Sequence, residues 1–365
     1  MRYIEIAKTI KELARNIPQL LSSEGGYKMP SLKDLAKECG VSVATVSKAL
    51  NDQPDIAPAT RERIRAAARR MGYLPNAAAR ALKTNRTYNL GVLFVDEKQS
   101  GLTHEYFSAV LDSFKVEAEK RGYDITFINH NISGKSMSYL EHCHYRGVDG
   151  VVIACVNFYD PQVVELVNGD VPVVTIDHVF NNRMAVLSDN VNGLSALVRY
   201  AYANGHRRIA ALTADPDDSS ISQLRYLGYQ RALRDFGLTE YPEDLICAED
   251  FTIATAYAAM QKRLRSPADF TAVFAIADDM AIGAMRALRE SGRSIPEDCS
   301  VIAIDGINVS EYIHPMLTTL CQPKTAMGET SVEILLDMIE GRGGNRHVTL
   351  PTALREGASV RRPKH

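Results

Sequence analysis

The chain has 365 residues, enough for a small module beside a large two-lobed one, and its 45% apolar content supplies an ordinary globular core. The formal charge of −2 averages two unlike regions: Lys28 to Arg86 carry 12 Lys/Arg against 5 Asp/Glu, whereas residues 89–365 carry 26 against 36. No apolar run approaches the roughly 20 residues that span a bilayer, the N-terminus is charged, and six scattered cysteines form no CxxC pair, which argues against membrane, secreted and metal-stapled classes and for a cytoplasmic protein with reduced thiols.

Residues 1–29 hold Ile4, Ile6, Ile10 and Leu13 at spacings that suit a short helix ended by Pro18. Two readings stand: an accessory helix, or an untranslated stretch. Glu24-Gly25-Gly26 can be encoded by a ribosome-binding consensus shortly before Met29, so Met29 is expected as the start. Ser31 then caps a helix with Leu32, Leu35 and Ala36 inward, and Gly40 ends it. Ser42 caps a second helix, in which Val43, Val46 and Leu50 recur at helical spacing. Two short helices around a glycine turn read as a helix-turn-helix, whose second helix enters the major groove of DNA. Asn51-Asp52 breaks that helix and Pro58 opens a third, carrying Arg61, Arg63, Arg65, Arg69 and Arg70 outward with Ile64, Ala67, Ala68 and Met71 inward. A solvated charged face would explain the acidic body but not this clustering of arginines.

From VSVATVSKALN through TRERI and MGYLPN to AAARALKTNRT, the chain resembles the lactose/galactose-repressor family of bacterial transcription regulators. The resemblance implies a DNA-binding domain over 30–75 and a hinge helix and linker over 76–88. The residues placed on DNA are Ser42, Val43, Ala44, Thr45, Ser47, Lys48, Asn51, Asn76, Arg80 and Leu82. Val43 and Ala44 suit thymine methyls, Lys48 suits guanine O6 and N7, and Ser42, Thr45 and Ser47 suit phosphates. By resemblance, the hinge folds on the operator, Asn76 and Arg80 contact backbone or groove edges, and Leu82 wedges a base step open in the minor groove.

Beyond Asn89 the texture changes to strands alternating with helices. NLGVLFV, DITFIN, GVDGVVIACV, VPVVTID, RIAALTA, AVFAIA and CSVIAIDG read as apolar strands, and HEYFSAVLDSFKVEAEKRGY as an amphipathic helix ending at Gly122. This alternation predicts parallel α/β sheets covered by helices, in two lobes, with ligands expected at the carboxyl ends of the strands. The resemblance extends here through SDNVNGLSALVRYAYANGHRRIAALTA, RYLGYQRAL and ADDMAIGAMRALRESGRSIPEDCSVIAIDG. It implies a periplasmic-binding-protein-like domain over 89–365 that binds an effector and dimerises. Lobe 1 would span about 89–189 and 321–348, and lobe 2 about 190–320 and 349–365, with crossings near Asp189, Leu320 and Val348.

By the same resemblance, Asp305 accepts hydrogen bonds from effector hydroxyls and Arg225 presents a guanidinium fork. Asp278 stands where many members carry Asn, and Asp177 lines the opposite lobe, followed by His178 where Arg is frequent. Tyr106 and Phe107 either stack on a sugar ring or belong to the core, and Phe158 and Tyr159 are weaker candidates of the same kind. An Asp after a strand also often caps the next helix, a competing role for Asp189 and Asp279.

No catalytic motif stands out, so no enzyme, cofactor or metal is expected, and His142-Cys143-His144 reads as a polar helix face. The expectation is a homodimeric regulator, a repressor that binds double-stranded pseudo-palindromic operator DNA under the control of a small-molecule effector, a sugar or sugar derivative. No leucine-heptad tail follows LREGASV, which favours a dimer over a coiled-coil tetramer. The rivals are a catabolite-control regulator answering to a phosphorylated carrier protein, a purine or nucleoside-responsive repressor, a solute-binding transport component, and a sugar-modifying enzyme with a regulatory head.

Overall fold

The computed structural model describes residues 30–73, 86–95, 101–132, 134–181, 183–214, 220–342 and 347–363, and the chain divides into two compact units, Met1–Arg86 and Thr87–His365. Among the described residues no helix is long and apolar enough to cross a membrane.

Among the described residues the first unit holds three helices: α1 (Leu32–Cys39), α2 (Val43–Leu50) and α3 (Pro58–Met71). Ser31 caps α1 by accepting the amide of Asp34, whose carboxylate reaches back to the Ser31 amide, a reciprocal capping box. Gly40, at φ 62°, closes α1 in the left-handed conformation that glycine adopts without a Cβ penalty. Ser42 caps α2 through the Thr45 amide, and Pro58 starts α3 where a missing N–H costs nothing. Leu35, Val46, Ala49, Ile64 and Ala67 meet in the centre. Burying each large side chain there contributes roughly 1.5–3 kcal/mol.

The second unit contains two six-stranded sheets. The strands of the first are β1 (Asn89–Phe94), β2 (Asp124–Phe127), β5 (Gly150–Ala154), β6 (Val173–Ile176), β7 (Met184–Ser188) and β13 (His347–Leu350), in the order β13-β7-β6-β5-β1-β2, all parallel. Those of the second are β8 (Ile209–Ala214), β9 (Leu245–Ala248), β10 (Ala272–Ala275), β11 (Ser300–Asp305), β12 (Thr318–Cys321) and β14 (Ala353–Arg355), in the order β14-β12-β11-β10-β8-β9. Only β14 in that sheet runs antiparallel. A small hairpin, β3 (Asn131–Ile132) with β4 (Lys135–Ser136), lies outside both. Every residue of β5 and β11 is buried, as expected for parallel strands covered on both faces.

The helices of this unit are α4 (Glu105–Lys120), α5 (Tyr139–Arg146), α6 (Pro161–Asn168), α7 (Asn190–Ala203), α8 (Ser220–Asp235), α9 (Ile253–Arg263), α10 (Asp278–Glu290), α11 (Val309–Tyr312) and α12 (Lys324–Ile339). The chain leaves the first sheet after Ser188, returns after β12 through α12, and crosses again between β13 and β14. Asp189, at the first crossing, accepts the Asn192 amide and caps α7. α12 packs on α4 so closely that a Cβ on Gly328 would lie 2.5 Å from the Val110 carbonyl oxygen and the Phe114 amide.

Candidate functional site: an exposed helix face and a strand-end cluster

The outer face of α2 carries the first candidate site. Val46 and Ala49 point into the three-helix core, which leaves Ser42, Val43, Ala44, Lys48 and Asn51 exposed, with Thr45 and Ser47 half-buried. Val43 is 42% exposed, an apolar side chain presented to water at a helix N-terminus. Several polar members of this set already have local partners. The Ser42 hydroxyl accepts the Thr45 amide at 3.1 Å and shares a 2.8 Å hydrogen bond with the Thr45 hydroxyl. The Asn51 side chain donates to the Ser47 carbonyl at 2.7 Å, finishing the helix. Arg61 donates to the carbonyls of Gln53 and Ile56 and faces Asp52, so it holds the loop between α2 and α3. Asn76, Arg80 and Leu82 lie outside the described residues.

The second candidate site lies where the carboxyl ends of both sheets come together. Three non-glycine residues there have positive φ: Cys155 after β5 (53°), Asp177 after β6 (56°) and Asp305 at the end of β11 (138°). Each such conformation costs roughly 1–3 kcal/mol and persists only where the surrounding structure over-determines it, commonly at ligand sites.

Asp305 is the hub. Arg225, 4% exposed, donates from Nη2 to Asp305 Oδ1 at 3.0 Å and from Nη1 to the Ile276 carbonyl at 2.5 Å. Gln322, just after β12, donates from Nε2 to the same Asp305 oxygen at 2.6 Å. Its carbonyl oxygen accepts the Ser188 hydroxyl at 2.7 Å. Ser188 ends β7 of the first sheet, so one glutamine bridges the two sheets. Ser188 also donates its amide to Asp177 Oδ1 at 3.2 Å, and Tyr106 donates its phenol to Asp177 Oδ2 at 2.5 Å. Lys324, at the start of α12, donates to the Asp305 carbonyl at 3.2 Å and to that of Gly306. Between the lobes, the Asn308 amide donates to the Glu105 carboxylate.

Asp278 lies beneath this hub with no exposed surface, its oxygens taken by the Thr319 hydroxyl at 2.5 Å and the Ile307 amide at 2.9 Å. Burial, reinforced by the charge of Asp305, pushes its carboxyl up to about 7. Burial likewise raises Asp177, against the hydrogen bonds from Tyr106 and Ser188, and raises Asp279 with help from Asp305. The Tyr106 phenol is held well above its ordinary range by burial and by Asp177.

Asp177, Arg225, Asp305 and Tyr106 thus belong to one constellation, with Asp278 directly under it. Tyr106 is buried in the core of the first sheet, with its phenol hydrogen-bonded to Asp177. Phe107 packs edge-on against Phe94 and Tyr106. Phe158 lies flat against His178, ring centroids 4.0 Å apart, while Tyr159 stands exposed beside them. Asp279 caps nothing, being inside α10. Gln322, Ser188, Lys324 and Glu105 are additions that the sequence alone did not single out. Among the described residues no group of three or more His, Cys, Asp or Glu is placed to hold a metal ion, and the His142 ring accepts the Asn129 amide.

The geometry joins what comparison with known proteins finds. Residues 31–76 match the model of bacterial regulatory proteins, lacI family, and residues 198–360 match a periplasmic binding protein-like domain. The HTH-type transcriptional regulator MalR of Clostridium butyricum is 32% identical over 334 residues, covering 89% of this chain and 98% of MalR. The structure of the lac repressor dimer bound to operator and the anti-inducer ONPF superposes with a TM-score of 0.78 at 26% identity, over 92% of this chain and 100% of that one. A complex of the transcriptional regulator CelR with cellobiose superposes with a TM-score of 0.66 at 29% identity, over 90% and 99%. These matches run along nearly the whole length of each relative, and the chain belongs to the lacI family of bacterial regulatory proteins.

Proposed function

We propose that the chain is a cytoplasmic repressor that binds pseudo-palindromic operator DNA as a homodimer and releases or grips it according to a sugar bound at the strand-end cleft. The observation that carries this reading is the bridge Ser188–Gln322–Asp305–Arg225, which ties polar groups of both sheets into one constellation. A polyhydroxylated ligand offers the paired donors and acceptors such a constellation can exchange for its internal bonds. A ligand that does so changes the relative energy of lobe arrangements, and only that difference can be passed to DNA binding. The relatives support the class: one structure is of a repressor on its operator, and another is of a regulator holding cellobiose. On α2, Val43, Ala44 and Lys48 would read bases, while Ser42, Thr45 and Ser47 would face phosphates. The hinge roles of Asn76, Arg80 and Leu82 rest on the family resemblance.

The test is thermal unfolding of the purified chain against neutral sugars, sugar phosphates, nucleosides and purines. A ligand that binds the native state alone raises its stability by mass action. The reading expects a saturating upward shift from a neutral sugar. A shift from nucleosides or purines alone would replace the sugar reading.

A further inference from the structure

The recognition helix carries its own anion. Lys48, in the last turn of α2, places Nζ 2.5 Å from Oδ2 of Asp55, in the loop between α2 and α3, and both side chains are 51% exposed. The loop does not need this pair to keep its shape. The Gln53 amide donates to the Lys48 carbonyl at 3.0 Å, and Arg61 donates to the carbonyls of Gln53 and Ile56. Asp52, the neighbouring carboxylate, faces Arg61 and Arg65 of α3 instead. Asp55 is therefore the carboxylate directed at the exposed face of α2, and the ammonium beside it holds its carboxyl below the ordinary range.

We propose that Asp55 is an internal counter-ion that competes with DNA for Lys48 and so limits the affinity of the recognition helix for nucleic acid. Most of the sequence-independent affinity for DNA comes from cations that neutralise phosphates and release condensed counter-ions. A lysine already neutralised within the protein adds little to that sum. To add its share it must leave Asp55, whose charge then remains near the phosphates. Lys33, Lys37 and Arg63 make no such pair among the described residues, so they are free to supply the baseline attraction. The inference rests on DNA binding by this unit and not on the identity of the effector.

The experiment measures binding of the full chain to a mixed-sequence duplex by fluorescence anisotropy over a salt series. The chains compared are wild type, Asp55→Asn, Lys48→Gln and the double variant. Asp55→Asn is expected to tighten binding by roughly two- to fivefold per module, the range of an exposed ion pair. The slope of log affinity against log salt should steepen by about 0.9 per module, the effect of one more cation displacing condensed counter-ions as it enters the groove. In the Lys48→Gln background the same substitution should change neither quantity. Asp55→Ser, with a different shape but the same charge change, should reproduce the gain. Unaltered affinity in both Asp55 variants overturns the proposal, as does an equal gain with and without Lys48, which would make Asp55 a source of general repulsion. A wild-type chain that leaves the duplex unbound would overturn the DNA-binding reading as well, so the two failures are distinguishable.

Discussion

Asp278 shows how a single residue can tax the fold. Burial, and after it the charge of Asp305, pushes its carboxyl up from the ordinary 3.8 to about 7. A raised acid binds more protons folded than unfolded between those values, so its contribution to stability is present at pH 4 and is lost as pH rises towards 7. Asp278→Asn keeps an acceptor for the Ile307 amide and removes the charge. Thermal unfolding across pH 4 to 7 should then show a flatter profile in the variant, and a higher midpoint at the upper end. An unchanged slope would mean that Asp278 is not the group responsible. Gln322 has the opposite character: Gln322→Ala leaves Ser188 and Asp305 each short of one hydrogen bond in a buried site and should cost about 1–3 kcal/mol by chemical unfolding. At this scale the sequence was partly legible. Asp177, Arg225 and Asp305 could be picked out from strand ends and a family motif, whereas Ser188 and Gln322 meet across 134 positions and neither carries charge.

Elements were legible where they follow the rules of their class. β1, β5, β6, β8, β10 and β11 are apolar runs flanked by helical patterns, and each is read directly from sequence. β7 was not, because β6 and β7 pair in parallel through a short connection without a helix, so the usual alternation is missing. β9, β13 and β14 are short strands at sheet edges, with three or four residues and only partial burial. The approach of α12 to α4 could not be foreseen from Gly328 alone, since a helix interior tolerates glycine for several reasons. In the structure the reason is contact with backbone, which cannot move as a side chain can. Gly328→Ala should therefore destabilise the second unit by about 1–3 kcal/mol, although alanine favours helix. A neutral or stabilising result in urea unfolding would contradict this packing. Ser42→Ala should remove the cap of α2 at a cost of about 1 kcal/mol, read as an earlier melt of the DNA-binding unit.

For the whole molecule, charge segregation and topology make one account. The basic first unit supplies attraction to DNA, and in the acidic second unit Arg225 and Lys324, the cations of the candidate site, already have partners. Control then requires that ligand binding favour one arrangement of the second unit and that DNA binding favour the same or the other one. Such coupling is reciprocal, commonly 5- to 150-fold. The most direct test takes a duplex selected by the full chain from a random-sequence pool and measures its affinity with and without the sugar that stabilises the protein. The account predicts a selected sequence with two-fold symmetry and an affinity that changes at least several-fold at saturating sugar. A stabilising sugar that leaves the affinity for that duplex unchanged would contradict it.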